Sequence, residues 1–163
     1  MTQKVRQMVR AAVIGALYVV LTHLQNLIFP NSASMAIQFR ASEALCVLAF
    51  FTPAAIPGLT AGCLLFNLTF IGSLPLDFLV GTLATLGATA SMRLLRRLPF
   101  LSLLMPALWN AFLVGWELSV YIGGGFWLNA LYVAIGEAAV LLTLGTALYY
   151  ALKTRNLHTR LFS

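Results

Sequence analysis

The chain has four acidic residues, and each of them lies in or beside an apolar stretch: Glu43, Asp77, Glu117 and Glu137. An ionisable side chain near the centre of a membrane helix costs about 2.5 to 3.5 kcal/mol on insertion scales, so each of these residues needs a reason to be there. Carboxylates in such surroundings suit a ligand that donates hydrogen bonds or carries a positive charge. The acids are therefore the first candidates for a binding site.

Amide and aromatic side chains occur at a similar depth in the same stretches, namely Asn67, Asn110, Asn129 and Trp127. Asn110 and Glu117 are seven residues apart, nearly two helical turns, so they share one helix face. Acids and amides that converge in this way predict a polar pocket that opens towards the outer side of a membrane.

Each of these acids and amides also has a structural interpretation. The helix dipole favours an acid such as Asp77 in a first helical turn, and Glu43 would cap its helix and pair with Arg40. Glu117 and Glu137 lie inside helices, where an interhelical hydrogen bond is the alternative to a ligand contact. Asn67 and Asn110 would equally join helices through hydrogen bonds.

Four further side chains have mainly structural interpretations. Trp127 at a helix end is, by itself, typical of an aromatic belt at the membrane interface. His23 has no second histidine or carboxylate at ligand spacing nearby, so we expect a packing or hydrogen-bonding role. Cys46 and Cys63 lack the paired spacing of a metal site or a disulfide framework, and we expect both to be buried thiols.

Known catalytic patterns are missing from the sequence. It contains no GxxxxGK[ST] phosphate loop, no HExxH motif and no set of Ser, His and acid at one membrane depth. We therefore predict no catalytic residue, no metal site and no cofactor. Two alternatives stay open: a membrane-embedded enzyme that uses the same acids, and a self-sufficient dimeric transporter coupled to protons through Glu137.

The elements that must position these residues are membrane helices. Hydrophobic residues make up 61% of the chain and charged residues 9%, with a mean hydropathy of +0.92, whereas soluble domains average roughly 25% charged residues. The sequence predicts an all-α integral membrane protein, a single domain built as a compact bundle of six transmembrane helices. The predicted spans are 9–29, 41–53, 55–71, 76–97, 99–122 and 126–152.

Charge placement predicts the orientation of this bundle. The net charge of +6 could suggest a nucleic-acid partner, but the basic residues cluster at segment ends and form no continuous basic face. Nine of the ten fall on one side of a six-span chain, which leaves Arg40 alone on the other side. The positive-inside rule then predicts a multi-pass protein of the cell membrane with both termini in the cytoplasm, and no nucleic-acid partner.

Small residues line one face of the first predicted span. Ala12 and Ala16, together with Ala11 and Gly15, form a smooth face of the kind that lets helices approach closely. Gly58 and Gly62 do the same for the third span. Packing inside the bundle is one interpretation of this face, and contact with a partner protein is the other.

Several local strings resemble the queuosine-precursor transporter family (QueT). The strings run from Ile37-Gln38-Phe39-Arg40 and Ser42-Glu43-Ala44-Leu45 through Ala55-Ile56-Pro57-Gly58-Leu59, Gly62-Cys63-Leu64-Leu65 and Asn67 to Asp77, Gly81, Leu83-Ala84-Thr85-Leu86, Asn110-Ala111, Val114-Gly115, Glu117-Leu118, Phe126-Trp127 and Gly136-Glu137. Each string is weak alone, but together they are specific and cover nearly the whole chain.

This resemblance implies a six-helix S component of an energy-coupling factor (ECF) transporter. Such a protein would capture a 7-deazaguanine, such as preQ1, preQ0 or queuine, on the outer side. Its partners would be a transmembrane coupling protein and two ATPases, which would use the ATP. In that class the small-residue face of the first helix contacts the coupling protein, which here places the contact at Ala12 and Ala16.

The chemistry of a 7-deazaguanine agrees with the candidate residues. Its N1–H and amino group donate side by side to a carboxylate, its O6 accepts from an amide or Arg, and its flat ring would stack on Trp127. Our hypothesis places Glu117 and Glu137 against the ligand, with Asn67 and Asn110 as amide partners and Asp77 nearby. Gln38, Arg40 and Glu43 would close the outer side, and the choice of carboxylate for the guanine edge stays open.

Overall fold

A computed structural model of the chain describes residues 2–30, 32 and 39–162. The predicted site residue Gln38 lies outside the described residues, as does most of the connection 31–36. Within the described ranges all regular secondary structure is helical, and they contain no strand. The all-helical part of the prediction is therefore confirmed.

Nine helical segments follow one another along the described residues. They are α1 (Gln3–Ile28), a 3-10 helix (Ala41–Phe50), α2 (Ala55–Thr69), α3 (Asp77–Leu94), α4 (Pro99–Tyr121), α5 (Phe126–Val140), a π-helical turn (Leu141–Gly145), α6 (Thr146–Thr154) and α7 (Leu157–Phe162). The helix that contains α5, the π-helical turn and α6 is continuous over Phe126–Thr154.

Among the described residues, three helices are long and apolar enough to cross a membrane: Gln3–Ile28, Pro99–Tyr121 and Phe126–Thr154. The 3-10 helix has ten residues, and at about 2.0 Å per residue it spans about 20 Å, less than the roughly 30 Å of a bilayer core. Each predicted span overlaps a helix, and the chain is a helical membrane protein. That all six segments cross the bilayer stays a prediction.

The 3-10 helix is the central element of the bundle. It contacts every helix from α1 to α6 and the π-helical turn, while α1 to α4 each pack against the next α-helix in sequence. Seven of its ten residues are buried. A 3-10 segment of this length is uncommon because its hydrogen bonds are poorly aligned, so contacts from the surrounding helices have to stabilise it.

Side chains from other helices bind the backbone at both ends of the 3-10 helix. The Ala41 amide donates to Gln25 Oε1 of α1 at 2.6 Å. At the other end, Arg93 Nη1 of α3 donates to the carbonyl oxygens of Ala49 and Phe50 at 3.3 and 3.0 Å. Backbone groups in a membrane must be satisfied within the protein, so these two side chains help to fix the position of the central helix.

Glycines bring the backbones of α1 and α2 into contact. A Cβ at Gly58 would lie 2.6 Å from the carbonyl oxygen of Ala11, and a Cβ at Gly15 would lie 2.7 Å from that of Gly58. Gly62 meets the backbone of Gly15 in the same way, with a Cβ placed 2.8 Å from its carbonyl oxygen. Half of the predicted small-residue face is thus used for packing inside the bundle.

Three successive glycines end the turn between α4 and α5. Gly123, Gly124 and Gly125 all have φ between 81 and 85°, a conformation that side-chain-bearing residues rarely adopt. Asn129, in the first turns of α5, donates from Nδ2 to the Gly123 carbonyl oxygen at 2.7 Å. This contact ties the turn to the helix that follows it.

The α1 and α2 crossing predicts different effects for two glycine substitutions. Gly58→Ala places a methyl group against backbone, whereas Gly145→Ala places one 3.4 Å from the Val47 side chain. Both gain helix propensity, but only the first overpacks the bundle, so we expect Gly58→Ala to be less stable than Gly145→Ala by about 1 to 3 kcal/mol. Unfolding of the purified variants in detergent measures this difference, and equal stability would contradict the close crossing.

Candidate ligand-binding site

The four acids of the chain come from four different elements and meet in the interior of the bundle. Glu43 lies in the first turn of the 3-10 helix, Asp77 begins α3, Glu117 lies on α4 and Glu137 on α5. None of the four side chains is more than 6% exposed. Glu117 lies within electrostatic range of Asp77 and Arg40, and Glu137 within range of Glu43 and Arg40.

Glu43 has partners for both of its carboxylate oxygens. Tyr18 of α1 donates its hydroxyl to Oε1 at 2.6 Å, and the Cys46 thiol donates to Oε2 at 3.2 Å. Arg40 Nη1 in turn donates to the Tyr18 hydroxyl at 3.4 Å. The interpretation of Glu43 as a helix cap is wrong, because its carboxylate binds these side chains, and Tyr18 links it to Arg40.

Tyr18 belongs to a polar stripe on α1 that the sequence analysis missed. Its members are Tyr18, Thr22 and Gln25, which are all buried and share one helix face. They contact three successive residues of the 3-10 helix: Tyr18 binds Glu43, the Thr22 and Ser42 hydroxyls share a hydrogen bond of 2.7 Å, and Gln25 accepts from the Ala41 amide. The spacing of four and three residues was the signal that could have revealed this stripe.

Asp77 has structural contacts that are consistent with its place at a helix start. Its Oδ2 accepts the Leu74 amide at 2.6 Å, just before α3. Asn67 of α2 donates from Nδ2 to the Asp77 carbonyl oxygen at 2.9 Å and so joins α2 to α3. Gly81 leaves room for this amide, because a Cβ there would lie 2.8 Å from Asn67 Nδ2.

Several polar atoms beside these contacts are buried and have no hydrogen-bond partner in the described structure. They are both carboxylate oxygens of Glu117, Oε2 of Glu137, Oδ1 of Asn67 and Nδ2 of Asn110. A buried polar atom without a partner costs about 1 to 3 kcal/mol, and more when it is charged. No N–H or hydroxyl group of the described residues donates to Glu117, and the unpartnered atoms are the ones a polar ligand would satisfy.

The carboxyl groups of Glu117 and Asp77 lie within hydrogen-bonding reach of each other. An ionised carboxylate only accepts hydrogen bonds, so the two groups bond directly only when one carries a proton. When both are ionised, the Glu117 oxygens lack a donor altogether. The pair is thus suited to take up either a proton or a cationic donor.

The aromatic residues differ from the prediction for the site. Trp127 is 76% exposed, and its ring packs edge-on against Phe126 with 4.9 Å between the ring centroids. The side chain is therefore not buried with the polar cluster, and its stacking on the ligand stays a prediction. Phe66 of α2 is fully buried, and the Arg40 guanidinium lies 5.6 Å from its ring centre. An aromatic ring therefore borders the polar cluster, and it comes from a residue that sequence reasoning did not select.

His23 and the two cysteines make only structural contacts among the described residues. His23 Nε2 lies 3.1 Å from Thr69 Oγ1, and its ring packs edge-on against Phe66. Cys46 and Cys63 are free, buried thiols. Within the described ranges no group of three or more His, Cys, Asp and Glu side chains is placed to hold a metal ion.

A separate apolar groove lies on the outside of the bundle, between α1 and α2. Its volume is about 750 Å³, and its lining includes Ala12, Ala16, Pro57, Ala61 and Leu65. Ala12 and Ala16 are exposed, whereas Gly15 beside them is buried in the helix crossing. The small-residue face is therefore divided between internal packing and an open surface.

Buried carboxylates and amides that meet inside an apolar helical bundle are typical of a membrane protein with a polar functional site. The sequence profile of the family described as QueT transporter matches residues 8–154. The chain belongs to the QueT transporter family, as its local strings predicted. No curated protein and no solved structure matches the chain.

The contact between Tyr18 and Glu43 predicts that loss of the Tyr18 hydroxyl lowers stability. Tyr18→Phe removes the donor to Glu43 and leaves a buried charged acceptor unpaired, so we expect the free energy of unfolding to fall by about 1.5 to 3 kcal/mol. Tyr149→Phe is the matched control, since the Tyr149 hydroxyl has only an exposed contact of 3.5 Å with Lys153. Unfolding of both variants in detergent tests this, and equal stability would show that the Tyr18 bond contributes nothing.

Proposed function

We propose that this chain is the substrate-binding S component of an ECF-type, ATP-driven importer in the cell membrane. It captures a queuosine precursor, a 7-deazaguanine such as preQ1, preQ0 or queuine, on the outer side. Membership of the QueT transporter family supports a transport function for such precursors. A transmembrane coupling protein and two ATPase subunits complete the importer, and both termini of this chain lie in the cytoplasm.

The unsatisfied atoms of Glu117 and Glu137 are the observation that carries the ligand proposal. A 7-deazaguanine offers the donors that these carboxylates lack, at N1–H, at the 2-amino group and, in preQ1 and queuine, at a cationic amine. The Asn110 Nδ2 atom has no acceptor in the described structure, and the ligand O6 is an acceptor. Ligand and site are thus complementary in donors, acceptors and charge.

The enclosure of the site also supports capture of a small molecule. Glu43, Glu117 and Glu137 are at most 2% exposed, so water is largely excluded from the carboxylates. Hydrogen bonds to charged groups contribute more where water does not compete for them. A small polar ligand that enters this interior would therefore be bound through few but strong contacts.

The groove beside α1 supports the proposed contact with the coupling protein. Its lining is almost entirely apolar and includes the exposed residues Ala12 and Ala16. Small side chains allow a helix of another protein to approach the backbone closely, which favours association in lipid. The polar site and this surface lie on different parts of the bundle, so ligand capture and complex assembly involve separate residues.

Replacement of the two candidate carboxylates tests the binding site. We expect Glu117→Gln and Glu137→Gln each to weaken preQ1 binding about ten- to hundredfold, because each removes a charged acceptor from a buried hydrogen bond. Calorimetry on the purified chain measures the affinity. Ser119→Ala is the control on the same helix, since its hydroxyl bonds only the Trp116 carbonyl oxygen; unchanged affinity in both glutamine variants would remove Glu117 and Glu137 from the site.

Bulky substitutions in the groove test the coupling surface. Ala12→Trp and Ala16→Trp should leave preQ1 affinity intact but abolish co-purification with the coupling protein and ATP-dependent uptake, because an indole fills the space a partner helix needs. Leu17→Trp is the control, as Leu17 is 47% exposed but does not line the groove. Normal uptake by both alanine variants, or uptake by the chain alone without ATPases, would contradict the proposal.

A further inference from the structure

Resting on the proposed function, we propose that the two carboxylate positions have different tasks. The Asp77 and Glu117 pair binds the ammonium group on the 7-substituent of the ligand, while Glu137 binds the guanine edge. The site is therefore selective for a precursor with a cationic 7-substituent over one with a neutral substituent. The positions of donors, acceptors and charges in the described structure carry this assignment.

The surroundings of the Asp77 and Glu117 pair are rich in acceptors. Both Glu117 oxygens are unpartnered and fully buried, and Asn67 Oδ1 is unpartnered in a side chain that is 6% exposed. The hydrogen bond from Asn67 Nδ2 to the Asp77 carbonyl oxygen holds this amide beside the pair. A primary ammonium group has three N–H donors and no acceptor, so surroundings rich in acceptors suit it.

Electrostatics at the pair favour a cation over a neutral donor. Two ionised carboxylates within hydrogen-bonding reach repel each other, and the repulsion is strong where water is excluded. An ammonium group between the two carboxylates removes the repulsion and forms a charge-assisted bond to each, whereas a nitrile offers neither charge nor donor.

Glu137 has the acceptor that a guanine edge requires. Its side chain lies on α5 and is 2% exposed. The guanine edge presents two donors, N1–H and the 2-amino group, next to the O6 acceptor. One carboxylate accepts from both donors side by side, and Oε2 of Glu137 is buried without a partner.

A comparison of two ligands tests the assignment on the purified chain. The ligands are 7-aminomethyl-7-deazaguanine, which is cationic, and 7-cyano-7-deazaguanine, whose 7-substituent is neutral. Wild-type protein should bind the aminomethyl compound at least about tenfold more tightly, since it alone forms charge-assisted bonds with the pair. Equal or tighter binding of the cyano compound by wild-type protein would overturn the assignment.

Carboxylate variants separate the two tasks. Glu117→Gln should lower the affinity for the aminomethyl compound about ten- to hundredfold and change the affinity for the cyano compound less than about threefold. Glu137→Gln should lower the affinity for both compounds by a similar factor. An equal loss for both ligands in Glu117→Gln, or no loss for either, would overturn the assignment but leave the proposed function standing, whereas failure of wild-type protein to bind either compound would refute both.

A second variant tests the ammonium site without depending on how Glu117→Gln folds. Asp77→Asn retains an acceptor oxygen for the Leu74 amide but removes the charge from the pair. It should lose affinity selectively for the aminomethyl compound, as Glu117→Gln does. If Asp77→Asn keeps the full wild-type preference for the aminomethyl compound, the pair is not the ammonium site.

Discussion

The hydrogen bonds between α1 and the first residues of the 3-10 helix are the constraint on which the site depends. Tyr18, Thr22 and Gln25 contact Glu43, Ser42 and the Ala41 amide in turn. In the interior of a membrane protein no water replaces such contacts, so backbone and carboxylate groups need partners from the chain itself. The stripe fixes the rotation of the 3-10 helix about its axis, and thereby the direction of Glu43 and Arg40.

The buried acids differ in whether their carboxylate oxygens have hydrogen-bond donors. Glu43 is held by a hydroxyl and a thiol, and it stabilises the bundle without a ligand. Glu117, equally buried, has no donor for either oxygen. Leaving a charged group in this state reduces stability, and such a cost is typical of sites where a ligand provides the missing partner. Burial alone therefore does not identify a ligand-binding acid, and the hydrogen-bond partners distinguish the two roles.

Part of this arrangement could be predicted from the sequence because the penalty for charge in a membrane is large. Four acids in a chain that is 61% hydrophobic had to be structural or functional, and the structure brings all four together. The helical class and the family followed from hydropathy and from local strings. The close α1 and α2 crossing was also within reach, since Gly15, Gly58 and Gly62 mark positions where only small residues fit.

Other features depend on tertiary contacts that no local pattern encodes. The residues 41–50 have the apolar composition of a short membrane helix, and their 3-10 geometry results from contacts with six surrounding helices. Arg93 was predicted as one of the cytoplasmic charges, but it also binds the last carbonyl groups of that helix. The exposure of Trp127 likewise follows from how α5 packs, because an aromatic residue at a helix start is compatible with either location.

The continuity of α1 connects the polar interior with the outer groove. Tyr18 faces the 3-10 helix, whereas Ala16, two residues earlier and about 3 Å along the axis, is exposed in the groove. The helix has 26 residues and no internal proline that would kink it. The same helix therefore holds Glu43 on one face and contributes to the groove on another. The close glycine crossing leaves no free space between the α1 and α2 backbones, so both walls of the groove are packed directly against each other.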